Sequence, residues 1–207
     1  MIIGLEGVSC VGKTTLAGIL AADLDAVHVR CYYHAAPDPS WLPEIDHSTA
    51  DTQLDALARL MRVEELRQET VQEAVRAGRH VVMDRTVDTL LAHGHAISRL
   101  RGFDCDAAAR AFVLAHEVEL PDLTLLLTVD LETRTQRAAR RPGMPRLLYD
   151  DAFTTHFLDH FRRPLVTRCI TVDATDPAHL LETARHWIRV QETGSPVATA
   201  ETGRSTC

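Results

Sequence analysis

Two glycines near the N-terminus are spaced for phosphate chemistry. Gly7 and Gly12 enclose Val8, Ser9, Cys10 and Val11, and Lys13, Thr14 and Thr15 follow directly. The spacing G-x-x-x-x-G-K-T is that of a phosphate-binding P-loop. Glycine admits backbone conformations closed to residues with a Cβ, so successive N–H groups can converge on phosphate oxygens. A helix starting near Lys13 aims its positive end at the same anion. Lys13 is then expected to reach the outer phosphates, and the Thr14 hydroxyl to hold Mg2+. The chain has 22 basic residues, and Lys13 is the single lysine among them, the rest being arginine. A compact ammonium is kept only where a P-loop calls for one.

Further along the chain, Asp84-Arg85 closes the apolar run His80–Met83. Beside a P-loop such an aspartate positions magnesium, directly or through water, and the arginine suits a donor or acceptor phosphate. A third group is Arg134, Arg137 and Arg141, which fall within about 60° of one helix face at 100° per residue. Arg146 extends the stripe across PGMPR. Arginines on such a segment could close over transferring phosphates as a lid.

These side chains need a scaffold, and the apolar pattern describes one. Apolar runs at 2–5, 26–31, 80–84, 123–130 and 169–173 read as strands. Helical periodicity covers a first helix from about Lys13, then 48–77, 88–101, 105–116, 131–141, 150–163 and 177–190. The alternation argues for a parallel α/β sheet covered by helices on both faces. In the long helix 48–77, Leu54, Leu57, Leu60, Met61, Glu64 and Leu66 keep the core spacing, and Arg59, Arg62 and Arg67 read as solvated. Residues 32–47, with three prolines, read as a loop past the C-terminal end of a strand, the edge where ligands bind in such sheets. Tyr32, Tyr33, His34, Asp38 and Trp41 are therefore acceptor-pocket candidates. His156/His160 and His93/His95 lack a third ligand and the HExxH glutamate, so no metal site is expected there. The expected organisation is one domain over 1–192, with a lid at about 134–149 and a flexible tail from 193.

Composition narrows the functional classes. A net charge of −7 and a pI near 5.8 argue against a broad nucleic-acid surface. The five cysteines are irregularly spaced, the N-terminus leads straight into a strand, and no apolar run has membrane-spanning length. A reducing cytoplasmic setting is expected. A GTPase switch is excluded because its Asn-Lys-x-Asp motif needs a second lysine. A hydrolytic ATPase usually follows the strand-end aspartate with glutamate, and here Arg85 follows.

LEGVSCVGKTT at 5–15, AGRHVVMDRTVDTLLAH at 77–93, PDLTLLLTVD at 121–130 and the arginine-rich region at 134–146 together resemble the thymidylate kinases among the P-loop nucleoside and nucleotide kinases. The order and spacing extend over nearly all of residues 1–190. The resemblance implies a three-layer P-loop fold with five parallel strands, ATP and Mg2+ as co-substrates, and phosphoryl transfer to a nucleotide or nucleoside-like acceptor. It implies ATP contacts at Gly7, Cys10 to Thr15, Arg137 and Arg141, catalytic roles for Lys13, Asp84, Arg85, Arg137 and Arg141, and Mg2+ at Thr14 and Asp84. Acceptor contacts fall on Ser9, Tyr33, Asp38, Arg62, Arg85 and His93. Homodimers through the long helices are common in the family.

The departures from the family pattern all lie on the acceptor side. Ser9 stands where the family usually has Asp, Cys10 where it has Gly, and Thr86 where it has Tyr. Ala92-His93-Gly94 replaces Ala-Tyr-Gln, whose glutamine faces thymine. The long-helix arginine falls near Val63, with Arg62 and Arg59 as imperfect substitutes. These changes point to a nucleoside monophosphate or nucleotide-like acceptor other than strictly dTMP. The alternative is a hydroxyl acceptor, as in the deoxynucleoside kinases, with Asp38 or Asp84 as the base. A non-catalytic ATP-binding module is a third reading.

Overall fold

The computed structural model describes residues 1–193 except 45, 142 and 144. Five parallel strands form one sheet: β1 (Ile2–Glu6), β2 (Val27–Val29), β3 (Val81–Asp84), β4 (Leu123–Thr128) and β5 (Cys169–Asp173), in the order β2-β3-β1-β4-β5. β1 is buried along its whole length because helices cover both faces, which is why IIGLE shows no alternation. The register sets Leu5 beside Asp84 on one side and Leu125 on the other. Phosphate loop and carboxylate thus leave adjacent strands at one sheet edge.

Eight helices surround the sheet among the described residues: α1 (Lys13–Asp23), α2 (Tyr32–Ala35), α3 (Ala50–Arg76), α4 (Val87–Arg101), α5 (Asp106–Leu114), α6 (Leu131–Ala139), α7 (Asp151–His160) and α8 (Pro177–Thr193). The main core joins Ile3, Leu5, Leu16, Leu20, Leu125, Leu127, Phe153, Phe157 and Ile188. No described helix is long and apolar enough to cross a membrane.

Four expectations need correction. Residues 32–47 are not uniformly loop: they hold α2 and a 3-10 turn at Pro39–Trp41, started by Pro39 and capped by the Asp38 carboxylate, which accepts from Ser40 N at 2.8 Å. On α3, Leu66 is 36% exposed and Arg67 only 2%. The buried stripe runs through Glu64, as expected, and on through Arg67 and Gln68 instead of Leu66, so the expected spacing misplaced only its edge. Arg134, grouped with the arginines expected to close over phosphates, is buried, and its Nη2 donates to Leu148 O at 2.8 Å. The last helix continues to Thr193, where the tail was expected to begin, and the remainder of that tail, 194–207, lies outside the described residues.

His160 is also placed. Its Nε2 lies 2.8 Å from the fully buried carboxylate of Asp88, which also accepts from Leu165 N and Val166 N. That carboxylate ties the start of α4 to the end of α7.

Candidate active site

The loop between β1 and α1 is shaped by close backbone approach. Gly7 has φ +131°, and a Cβ there would sit 2.4 Å from Leu127 O, so only glycine fits. Gly12 caps α1 at φ 104°. Between them Cys10 adopts φ 69°, unusual for a residue with a side chain, and its Sγ lies 3.7 Å from Tyr149 OH in the 3-10 turn at Arg146–Tyr149.

Lys13 folds back into this loop. Its Nζ donates to Gly7 O at 2.8 Å and Val8 O at 2.7 Å. Burial, and secondarily the charge of Arg85, lowers its pKa to about 7. Thr14 Oγ1 donates to Asp84 Oδ2 at 2.6 Å, while the buried Asp84 Oδ1 has no hydrogen-bond partner. A carboxylate oxygen left bare beside a hydroxyl suits a hard divalent cation, so Thr14 and Asp84 fit Mg2+.

The other side of the loop opens on a cleft of about 360 Å³. It combines Cys10, Val11, Gly12 and Thr15 with Arg137, Arg140 and Arg141 and an apolar wall of Leu16, Ile19, Leu180 and Leu181. Arg137 is braced across it: Nη1 donates to Val11 O at 3.2 Å, and Nη2 to Ala174 O at 3.0 Å and Thr175 O at 3.2 Å. Guanidinium groups beside an apolar wall at a P-loop suit a nucleoside triphosphate, its ring on the wall and its phosphates on the loop.

Arg85 does not line this cleft. It leaves β3 at φ 71°, a strained conformation for arginine costing on the order of 1–2 kcal/mol. Its Nη1 lies 3.4 Å from Gly7 O and 3.2 Å from Thr89 Oγ1. Underneath sits Glu6, fully buried, accepting from Thr86 N and Thr86 Oγ1 at 2.8 Å each and from the Thr89 hydroxyl. Burial raises the pKa of Glu6, and Arg85 and the threonine bonds oppose the rise. Glu6, Thr86 and Thr89 were not among the residues read as site members. A carboxylate closing an otherwise apolar strand was the available signal.

His93 packs against Phe153 with ring centroids 5.3 Å apart. Burial first, then Arg85, lowers its pKa to about 4, so it is neutral at physiological pH. Beside it Gly94 faces the buried Gln53, whose Nε2 would make ordinary contact with a Cβ at 94 at 3.4 Å. Ser9 is half-buried in the P-loop. The fold thus gathers the P-loop, Asp84, Arg85, Arg137 and Arg141 around one edge, with His93 within electrostatic reach of Arg85.

Three acceptor candidates engage their own neighbourhood instead. Tyr33 is 74% exposed and meets His34 edge-on, and the buried tyrosine of the pair is Tyr32. Asp38 is exposed and committed to its turn, and the Ser40 bonds lower its pKa. Arg62 stacks over Trp41 with 4.4 Å from guanidinium carbon to ring centroid.

Known proteins with these features are informative. The family model described as thymidylate kinase matches residues 5–184. A thymidylate kinase of Anaplasma phagocytophilum is 28% identical over 151 residues, covering 68% of this chain and 67% of that protein. One from Wolbachia pipientis is 26% identical over 146 residues, covering 67% and 69%. Among solved structures, the thymidylate kinase of Candida albicans superposes with a TM-score of 0.65 at 19% identity, covering 93% of this chain and 92% of that one. A deoxyadenosine kinase from M. mycoides gives 0.65 at 15% identity, covering 91% and 99%. At these identities the structural matches establish the fold.

Proposed function

We infer the reaction from one premise: the chain belongs to the thymidylate kinase family, and it is an ATP-dependent phosphotransferase. We propose that it transfers the γ-phosphoryl group of ATP to the phosphate of a nucleoside monophosphate or nucleotide-like molecule other than strictly dTMP. The observation that carries this reading is the placement of Arg85. Its guanidinium stands at the P-loop mouth, one residue from the carboxylate that Thr14 engages.

A cation at that position can hold an acceptor phosphate against the donor and neutralise charge on the transferring group. Lys13 serves the donor phosphates, and Arg137 and Arg141 hold ATP in the cleft. Thr14 and Asp84 hold Mg2+, which neutralises phosphate charge when bound. Residues 1–192 act as one kinase unit, with 134–149 as its lid.

A phosphate acceptor needs no general base, and Asp38, exposed and tied to Ser40, is poorly placed to be one. The departure from dTMP is supported by the neutral His93 and by Gly94, which faces the buried Gln53, standing where the family has a tyrosine and the glutamine that faces thymine.

The test is phosphoryl transfer from ATP and Mg2+ across 5′-monophosphates, nucleosides and nucleotide-like sugars, with products separated chromatographically. A phosphorylated monophosphate other than dTMP alone is expected. ATP hydrolysis with no phosphorylated acceptor would overturn the reading, and phosphorylated nucleosides would transfer it to the hydroxyl class.

A further inference from the structure

We propose that Arg67 is the positioning residue for the Asp84-Arg85 corner, a role resting on the reading of Arg85 as the acceptor-phosphate contact. Arg67 lies on α3 with 2% of its surface exposed, 17 residues from Asp84 in sequence. Its guanidinium spans three elements. Nε donates to Arg30 O at 2.9 Å, just past β2. Nη2 donates to Asp84 O at 3.3 Å and Arg85 O at 2.5 Å, at the end of β3. Nη1 is paired with Glu64, and the Tyr32 ring lies 4.2 Å from the guanidinium carbon.

The geometry at Arg85 explains why such a group is needed. The chain turns there through the left-handed region, so the carbonyls of 84 and 85 leave the sheet ladder and require donors inside the protein. The peptide joining Arg85 to Thr86 is then gripped at both ends. Its oxygen accepts from Arg67, and its N–H donates to Glu6 at 2.8 Å. With that peptide plane fixed, the direction in which Arg85 leaves the backbone is fixed, and so is its reach to Gly7 O and Thr89 Oγ1.

Lysine could not replace this fork, because a point charge cannot serve carbonyls on two strands and a carboxylate in one plane. Glu64 neutralises the buried cation and is itself held by Gln68 Nε2 at 2.6 Å. Tyr32 connects the same guanidinium to α2, at the start of the segment read as the acceptor loop.

The test pairs Arg67→Met with Glu64→Gln, which removes both buried charges together and keeps similar volumes. Steady-state kinetics are measured with dTMP, dUMP, dCMP, dAMP and dGMP each offered as acceptor, and folding is followed by circular dichroism and thermal midpoint. A displaced reacting group costs on the order of 10²-fold for a misplacement near 1 Å. The folded double variant is expected to lose roughly tenfold or more in kcat and gain roughly tenfold in acceptor KM, with ATP KM within about twofold of wild type.

Wild-type acceptor kinetics in a folded double variant, even with a lower thermal midpoint, overturn the proposal. Should the double variant not fold, Arg67→Lys is read instead. It keeps the charge and loses the fork, and the same split between acceptor and ATP is expected at roughly threefold. Equal changes for both substrates overturn the proposal. Arg85→Ala separates the two claims: if it impairs acceptor use and the Arg67 variants do not, only the positioning role falls. An unaltered acceptor KM in Arg85→Ala overturns both.

Discussion

The donor and acceptor halves of the site are held together by different means. On the donor side the phosphate-binding groups belong to one short segment, Gly7 to Thr15, shaped by glycine conformations and the start of α1, and Arg137 and Arg141 join it across the cleft. On the acceptor side Arg85 is held by Glu6, Arg67 and Thr89, residues drawn from β1, α3 and α4. One half is built mainly from backbone and local spacing, with arginines added from α6 and beyond, the other from buried side chains brought together by the fold. A locally encoded half can persist in a recognisable pattern while the other half is rebuilt for a new acceptor.

Donor-side changes should therefore spare acceptor recognition, and the largest expected effect tests that directly. Lys13→Ala is expected to lower kcat by roughly 10² or more, since a preorganised contact to transferring phosphate is lost. Stopped turnover with near-normal acceptor binding sharpens the division between halves, and near-wild-type kcat breaks it. Next is Arg137→Ala, with an expected rise in ATP KM of roughly tenfold and an unchanged acceptor KM, because charge-assisted bonds to Val11, Ala174 and Thr175 are removed. Equal rises in both Michaelis constants would show that the halves are coupled through the lid.

Asp84 stands at the seam, bonded to Thr14 by its side chain and to Arg67 by its carbonyl. Asp84→Asn is expected to raise the Mg2+ concentration for half-maximal rate by roughly tenfold. An unchanged metal dependence removes Asp84 from the metal site.

The smallest effect is read as protons. Burial holds Lys13 near 7, below the ordinary lysine value of 10.5. Phosphate restores the charged form, so ATP binding takes up a proton where pH lies between the free and bound values. Calorimetry at pH 8 in buffers of different ionisation enthalpy is expected to show uptake approaching one proton, little uptake at pH 6, and none with Lys13→Met. The stability of the free protein depends on pH through the same group, with the opposite slope to ATP affinity. Above about pH 7 the folded chain holds fewer protons at Lys13 than the unfolded chain, so this group's contribution to stability rises from pH 7 toward 10.5.

What could be read from the sequence follows the same division. The P-loop, the five strands and Asp84-Arg85 were visible because buried parallel strands are unbroken apolar runs and a phosphate loop has fixed spacing. Arg67 was read as solvated because an arginine on a helix usually is, and its burial depends on carbonyls at Arg30, Asp84 and Arg85 that no local window contains. Tyr33 was singled out with Tyr32 because nothing in the local pattern distinguishes adjacent tyrosines, yet the fold buries Tyr32 under Arg67 and leaves Tyr33 outside. The proline-rich stretch hid α2, a single turn too short to show a period. Arg134 shared a helix face with Arg137 by angle, but the turn that covers it lies at Leu148.

The central claim is that Arg85 receives a phosphate. The most direct measurement is kcat/KM for matched pairs, each nucleoside and its 5′-monophosphate, in wild type and Arg85→Ala with ATP and Mg2+. The account predicts that wild type prefers a monophosphate and that Arg85→Ala loses roughly 10²-fold on it, the scale of one lost transition-state contact. A wild-type preference for the nucleoside, or an Arg85→Ala variant that keeps its rate on the monophosphate, would contradict it.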